Sequence, residues 1–177
     1  VGGAVISRSL KVAGQRLNED IIRFIKNEYK LLIGEPTAEA LKINVGSALP
    51  VDDKLEMAVR GRDVSSGLPK EVIVRNPQIR SAIQKSLKSI ADSIKAILEE
   101  SPPELVGDVL ERGVYLSGGA SLLREIDRFI EREIQVTTKV VDDPLTCVVR
   151  GLGIIIEDTP RYQPILSNQE NPKPINL

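Results

Sequence analysis

Histidine and tryptophan are absent from the 177 residues, and cysteine occurs once, at Cys147. Without histidine there is no His-based catalytic triad and no imidazole metal ligand. A single cysteine builds neither an internal disulfide nor a thiolate zinc site, and it fits a reducing compartment. Aromatic residues make up 3% of the chain, too few for the stacking platforms that hold single-stranded nucleic acid. An excess of one charge is also lacking. Twenty-four basic and 25 acidic residues leave a formal net charge of -1, so no strong field is left to recruit nucleic acid or anionic lipid. No apolar run approaches the roughly 20 residues that span a bilayer. No signal peptide is visible, and the opening Val1-Gly2-Gly3 reads as the interior of a longer chain.

What is present is ordinary globular composition, 41% apolar and 28% charged, in a chain long enough to bury a core. Ala4 to Val12 reads as a strand ended by Gly14. Asn18 is placed to cap a helix whose face carries Ile21, Ile22, Ile25, Tyr29 and Leu32 and which Gly34 and Pro36 end. Thr37 then caps a second helix, with Ala38, Leu41 and Val45 inward and Gly46 as its stop. Alternation at Leu55, Met57 and Val59 predicts a strand. Turn residues from Gly61 to Pro69 and a return at Val72 to Val74 make it a hairpin. Asn76-Pro77 starts a long helix with Ile79, Ile83, Leu87, Ile90, Ile94 and Ile97 at helical spacing, stopped at Ser101-Pro102-Pro103. A short helix over Glu104 to Leu110 follows, then a buried strand over Val114 to Leu116. Ser121 caps a helix with Leu122, Leu123, Ile126, Phe129 and Ile130. Val136 to Val141 is a further strand, and Pro144 opens a last helix. From Asp158 the tail is rich in Pro, Asn and Gln and reads as loose. This order predicts an α/β fold with a small helix-plus-hairpin subdomain inserted.

Four places invite a chemical reading. In Val114 to Leu123 a strand runs into Gly118-Gly119 and then a helix. Glycines admit a ligand close to the backbone, and helix N-termini offer free N–H groups at the carboxyl end of a strand. The same glycines also suit a plain strand-to-helix turn. Glu39 and Lys42, three apart, share a helix face. A carboxylate accepts from ribose hydroxyls, and a lysine stem lies along a purine while its ammonium reaches ring nitrogens or hydroxyls. The bland alternative is a solvated surface pair. Asp142-Asp143 before Pro144 reads as helix capping more than metal binding or acid–base chemistry. Cys147, in an apolar stretch, reads as a buried small hydrophobe rather than a nucleophile.

Several stretches, taken together, resemble the MreB family of bacterial actins. Asn18-Glu19-Asp20-Ile21-Ile22 is similar to that family's "DEAII" helix start. Leu31 to Lys42 is similar to its "LLIGExTAExxK" segment. Val45 to Ala48, Val59 to Arg62, Ser101 to Leu105, Glu111 to Gly113, Leu116 to Gly119 and Asp143 to Cys147 follow in the family's order. The motifs are individually weak and are made specific by their order, over roughly Val1 to Ile156.

The resemblance implies part of an actin-like (ribonuclease H-like) ATPase fold. Residues 1–36 and 111–157 would belong to a large subdomain, 37–110 to a small inserted one, and 158–177 to a flexible tail. It implies ATP, with the adenosine held between Glu39 and Lys42 on one side and Gly118, Gly119, Ala120 and Ser121 on the other, and with no catalytic or metal-binding residue in this stretch. The family's phosphate-binding hairpins, its Mg2+ carboxylates, the residue that orients the attacking water and its membrane-binding element are expected upstream of Val1. This stretch alone is therefore not expected to hydrolyse ATP. Self-association into filaments, the cell-wall elongation machinery as partner, control of cell shape and a cytoplasmic, membrane-associated location are implied in the same way, with no nucleic acid. The chain departs from the family's pattern at Ala13 (usually glycine), Gln15 (usually an acid) and Ala120 (usually a third glycine). These departures keep open an alternative, an interaction module of the actin superfamily without working nucleotide binding. A sugar kinase or a chaperone ATPase of the superfamily is the other competing class.

Overall fold

The computed structural model describes residues 4–51 and 54–167. In chain order the elements are α1 (Gly14–Tyr29), β1 (Leu31–Leu32), α2 (Glu35–Asn44), β2 (Glu56–Asp63), β3 (Pro69–Arg75), α3 (Asn76–Glu100), α4 (Pro103–Arg112), β4 (Val114–Leu116), a 3-10 turn (Gly119–Leu122), α5 (Ile126–Ile134), β5 (Thr138–Val140), α6 (Cys147–Glu157) and α7 (Thr159–Ser167). The first three strands form an antiparallel sheet in the order β1-β2-β3, and β4 pairs with β5 in parallel.

The core follows from helical spacing. Ile79, Ile83, Leu87 and Ala91 form the buried stripe of α3; Leu17, Ile21 and Ile25 that of α1; and Ala38 and Leu41 that of α2. Val59 of β2 and Val74 of β3 close the core from the sheet, and Phe129 and Ile130 of α5 join the same cluster. One polar tie crosses it where the Ser86 hydroxyl donates to the Asp20 carboxylate. At the hairpin turn the amides of Ser65 and Ser66 each donate to Asp63 Oδ1 at 2.9 Å, and Lys70 Nζ donates to Oδ2 at 3.0 Å. These donors, the Ser66 amide foremost, hold the Asp63 carboxyl well below the usual carboxylate range.

Several sequence-based expectations are corrected. Residues 4–13 form no strand, since no described segment pairs with them and a strand needs a ladder partner. Asn18 does not cap α1. The helix begins a turn earlier, at Gly14, and Asn18 is buried within it. α1 ends at Lys30 in the left-handed conformation, before Gly34, which precedes α2 in place of Thr37. Asn76 is the first helical residue of α3, not its cap. Its amide is turned inward to donate to Val45 O at 2.6 Å and Ser47 Oγ at 2.9 Å. Ser121 sits in the 3-10 turn, and α5 starts only at Ile126. The helix expected to open at Pro144 is α6, which starts three residues later, at Cys147, after Asp143 in a left-handed φ of 50°. The strand Val114–Leu116, expected to be buried, leaves Tyr115 60% exposed, since β4 and β5 form only a pair. Cys147 is half-buried, not buried, because no residue of α6 is buried. The tail expected to be loose is helical over Thr159–Ser167, while 168–177 and Val1-Gly2-Gly3 lie outside the described residues. α1 packs against α2 and α3, and β1 against α1 and β2.

Gly61, expected in the turn, lies within β2. A Cβ there would sit 2.3 Å from the Leu32 carbonyl oxygen, which is ladder backbone and not a flexible side chain. Gly61→Ala is expected to destabilise the full chain by about 1–3 kcal/mol, as measured by urea unfolding. Wild-type stability in that variant would show that β1 moves aside freely.

Candidate functional site

α2 is a ten-residue helix whose first turn contains Pro36, the ring that best tolerates a helix start. Its spacing sends Ala38 and Leu41 into the core and turns Glu39 and Lys42 toward the start of α1. Lys42 is only 9% exposed, and an ammonium removed from water requires partners. It finds them in Glu39 Oε2 at 2.7 Å and the Gly14 carbonyl at 3.3 Å. Asn18 Nδ2 of α1 donates to the same Glu39 oxygen at 2.6 Å. The hydrogen bond from Lys42, and then that from Asn18, lower the Glu39 carboxyl below its ordinary range. Glu39 is thus an ionised acceptor at neutral pH.

These residues form one wall of a cleft of about 620 Å³, within the size range of small-molecule sites. The opposite wall is the turn after β4, with Gly119, Ala120 and Leu122, closed by Leu123 and Leu145. Gly118 is held at φ 82°, ψ 169°, a conformation open in practice only to glycine, and its amide donates to Pro144 O at 2.8 Å. Gly119 has no such backbone demand, and a Cβ there would make only ordinary contact with Leu145. Its glycine leaves room on the side of the cleft.

The two walls are tied behind the cleft. Arg124 Nη1 donates to the carbonyls of Ile43 at 2.7 Å and Gly46 at 3.3 Å, at the C-terminus of α2, where a cation is favoured. Its own carbonyl accepts from the Ala48 amide at 2.8 Å.

Of the six residues singled out from sequence, Glu39, Lys42, Gly119 and Ala120 line the cleft together. Gly118 and Ser121 do not; Ser121 is buried and its hydroxyl donates to Gly118 O at 2.7 Å, so it closes the turn. Sequence reasoning missed Asn18 as a wall residue, because its polar type at a helix start suggested a cap. It also missed Arg124, whose role depends on a contact 78 to 81 residues away. Leu122 and Leu123 were read only as helix-face residues, and Leu145 was not singled out. Among the described residues no group of three His, Cys, Asp or Glu is placed to hold a metal ion.

The strand–turn–helix cleft and the mixed sheets define an actin-like α/β fold, present in part. The structure of the MamK double helical filament superimposes with a TM-score of 0.68 at 20% identity, over 84% of this chain and 46% of that one. MreB5 of Spiroplasma citri bound to AMPPNP superimposes with a TM-score of 0.85 at 37% identity, over 90% of this chain and 48% of that one. The model of the MreB/Mbl protein family matches residues 1–164. The cell shape-determining protein Mbl of Bacillus subtilis is 39% identical over 158 residues, 89% of this chain and 47% of Mbl. The cell shape-determining protein MreB of Escherichia coli K12 is 41% identical over 157 residues, 89% of this chain and 45% of MreB. The chain belongs to the MreB/Mbl family, and it spans about half the length of the curated relatives it matches.

Removing the ammonium tests the electrostatics of the wall. A lowered carboxyl contributes its interaction above the ordinary carboxylate range and loses it as pH falls through the lowered value. Lys42→Met is therefore expected to move the Glu39 titration upward, as followed by 13C NMR of the side-chain carboxyl. An unmoved titration would show that Lys42 does not set it.

Proposed function

We propose that this chain supplies the adenosine-binding wall of the ATP site in an MreB-type filament that controls cell shape. The observation that carries the proposal is the ionised Glu39 beside Lys42, facing the open backbone at Gly119 and Ala120 across the cleft. Glu39 accepts from the ribose hydroxyls. The Lys42 stem lies along the nucleoside, and its ammonium keeps Glu39 ionised. Gly119 and Ala120 admit the ligand against the backbone, and Leu122, Leu123 and Leu145 keep water from the base. Gly118 and Ser121 shape that turn. The cleft has the polar and apolar mixture a nucleoside needs, and the MreB5 relative was crystallised with AMPPNP and with ADP.

The described residues of this chain do not fit a metal site, so no step is assigned to Mg2+ here. Its carboxylates, like the groups that drive phosphoryl transfer, belong in this proposal to the portion of the relatives this chain does not cover. The MamK structures are filaments, which supports self-association through a heterologous contact between identical subunits. Work with the cell-wall elongation machinery and membrane contact through elements outside this chain complete the proposal. α1 to α3 with the three-stranded sheet would be the smaller subdomain, and β4, β5, α5 and α6 part of the larger.

Calorimetric titration with Mg-ATP, beside Lys42→Ala, tests the assignment. Wild-type binding that weakens roughly tenfold or more in the variant is the expected outcome. Equal affinity in both would remove the pair from the site. Absence of binding in the full-length protein would favour the interaction-module reading, to which Gln15 and Ala120, both at the cleft, contribute.

A further inference from the structure

Asn18 has an arrangement that its place in α1 does not require. The residue is 4% exposed, its Nδ2 is bonded to Glu39 Oε2, and its Oδ1 is buried without a hydrogen-bond partner. An unpaired buried amide oxygen costs stability, and a leucine of similar size would fill the space without that cost. The amide cannot turn over to satisfy the oxygen, because Glu39 needs the donor. Both bonds to Glu39, from Lys42 and from Asn18, end on Oε2, so that Oε1 carries neither.

We propose that Asn18 is a positioning residue for the nucleoside: with Lys42 it pins one oxygen of Glu39, so that the other is presented to the ribose hydroxyls. The inference rests on the proposed adenosine site. It assigns Asn18 no contact with the ligand. Selectivity for a ribose over a sugar lacking hydroxyls depends on it, because a carboxylate free to rotate pays an ordering cost on binding that a pinned one does not.

The test uses the full-length protein, with Mg-ATP and Mg-2′,3′-dideoxy-ATP as probes in calorimetry and a thermal melt beside them. Asn18→Leu is expected to weaken ATP roughly five- to tenfold, the scale of one ordinary net hydrogen bond, since the role is indirect. Dideoxy-ATP should change by less than about twofold, since only the hydroxyl contact is lost. The melting temperature should hold or rise, because the unpaired oxygen is gone. Unchanged ATP affinity, or an equal loss for both nucleotides, overturns the proposal. Glu39→Gln separates the two levels. If it leaves ATP affinity unchanged, the underlying assignment of Glu39 fails; if it weakens ATP while Asn18→Leu does not, only the positioning role fails.

Should Asn18→Leu not fold, Asn18→Asp decides. Only the protonated acid donates to Glu39. Affinity relative to wild type is then expected to be reduced where the introduced acid is ionised and to recover as pH falls and it takes up a proton. The other charged groups at the cleft are Lys42 and Glu35, both on α2; α1 and the turn Gly119–Leu122 bring none. A ratio that stays at unity across the range overturns the proposal.

Discussion

The buried ammonium of Lys42 is the constraint around which the site is arranged. A lysine so far out of water is tolerated only where acceptors are fixed beside it. One acceptor is on its own helix, Glu39, and one is on another element, the Gly14 carbonyl at the start of α1. The charge therefore joins α2 to the N-terminal end of α1, and Asn18 repeats the connection one turn further on. The apolar stripes of the same two helices, Leu17, Ile21 and Ile25 against Ala38 and Leu41, bring them together. Packing supplies the attraction and the charge supplies the register.

A second set of polar contacts relates that wall to the one opposite. The loop after α2 is held from two sides, by the inward amide of Asn76 on Val45 and Ser47 and by the Arg124 guanidinium on Ile43 and Gly46. Arg124 directly follows the turn that carries Gly119 and Ala120, so a shift of that turn is felt at the C-terminal end of the helix that carries Glu39 and Lys42. The width of the cleft is thus set from behind, by groups that do not face it.

What was legible in the sequence follows the reach of each signal. The stripe of α3 and the hairpin alternation are local patterns of period 3.6 and 2, and both are present where the spacing placed them. The i,i+3 pairing of Glu39 and Lys42 was legible for the same reason. Caps were not: Asn18, Thr37 and Asn76 are all cap-type residues, but tertiary partners took Asn18 and Asn76, and Gly34 took the start of α2. Burial of Tyr115 and of Cys147 was misread because an apolar run predicts burial only if something covers it. Val148, Val149, Leu152, Ile154 and Ile156 are each more than half exposed, on a part of the fold with two strands in a chain spanning about half the length of its relatives. Arg124 was illegible because no local pattern reports a contact across some eighty residues.

The electrostatics of the wall bear on which part of a nucleotide it can read. Its charged lining groups are Glu35, Glu39 and Lys42, two carboxylates against one ammonium, and that ammonium is committed to Glu39 and Gly14. A surface of this balance offers a triphosphate no uncommitted side-chain cation. It suits a neutral, hydroxyl-bearing nucleoside, for which an ionised acceptor and apolar cover suffice. On the proposed assignment, discrimination between ATP and ADP must then arise elsewhere in the full-length protein, where the phosphates lie. On that assignment the wall would contribute the same binding to either, and a group that binds two states equally shifts neither. On the same assignment this wall would anchor the nucleoside, and the difference between the two nucleotides would be read where the phosphates lie.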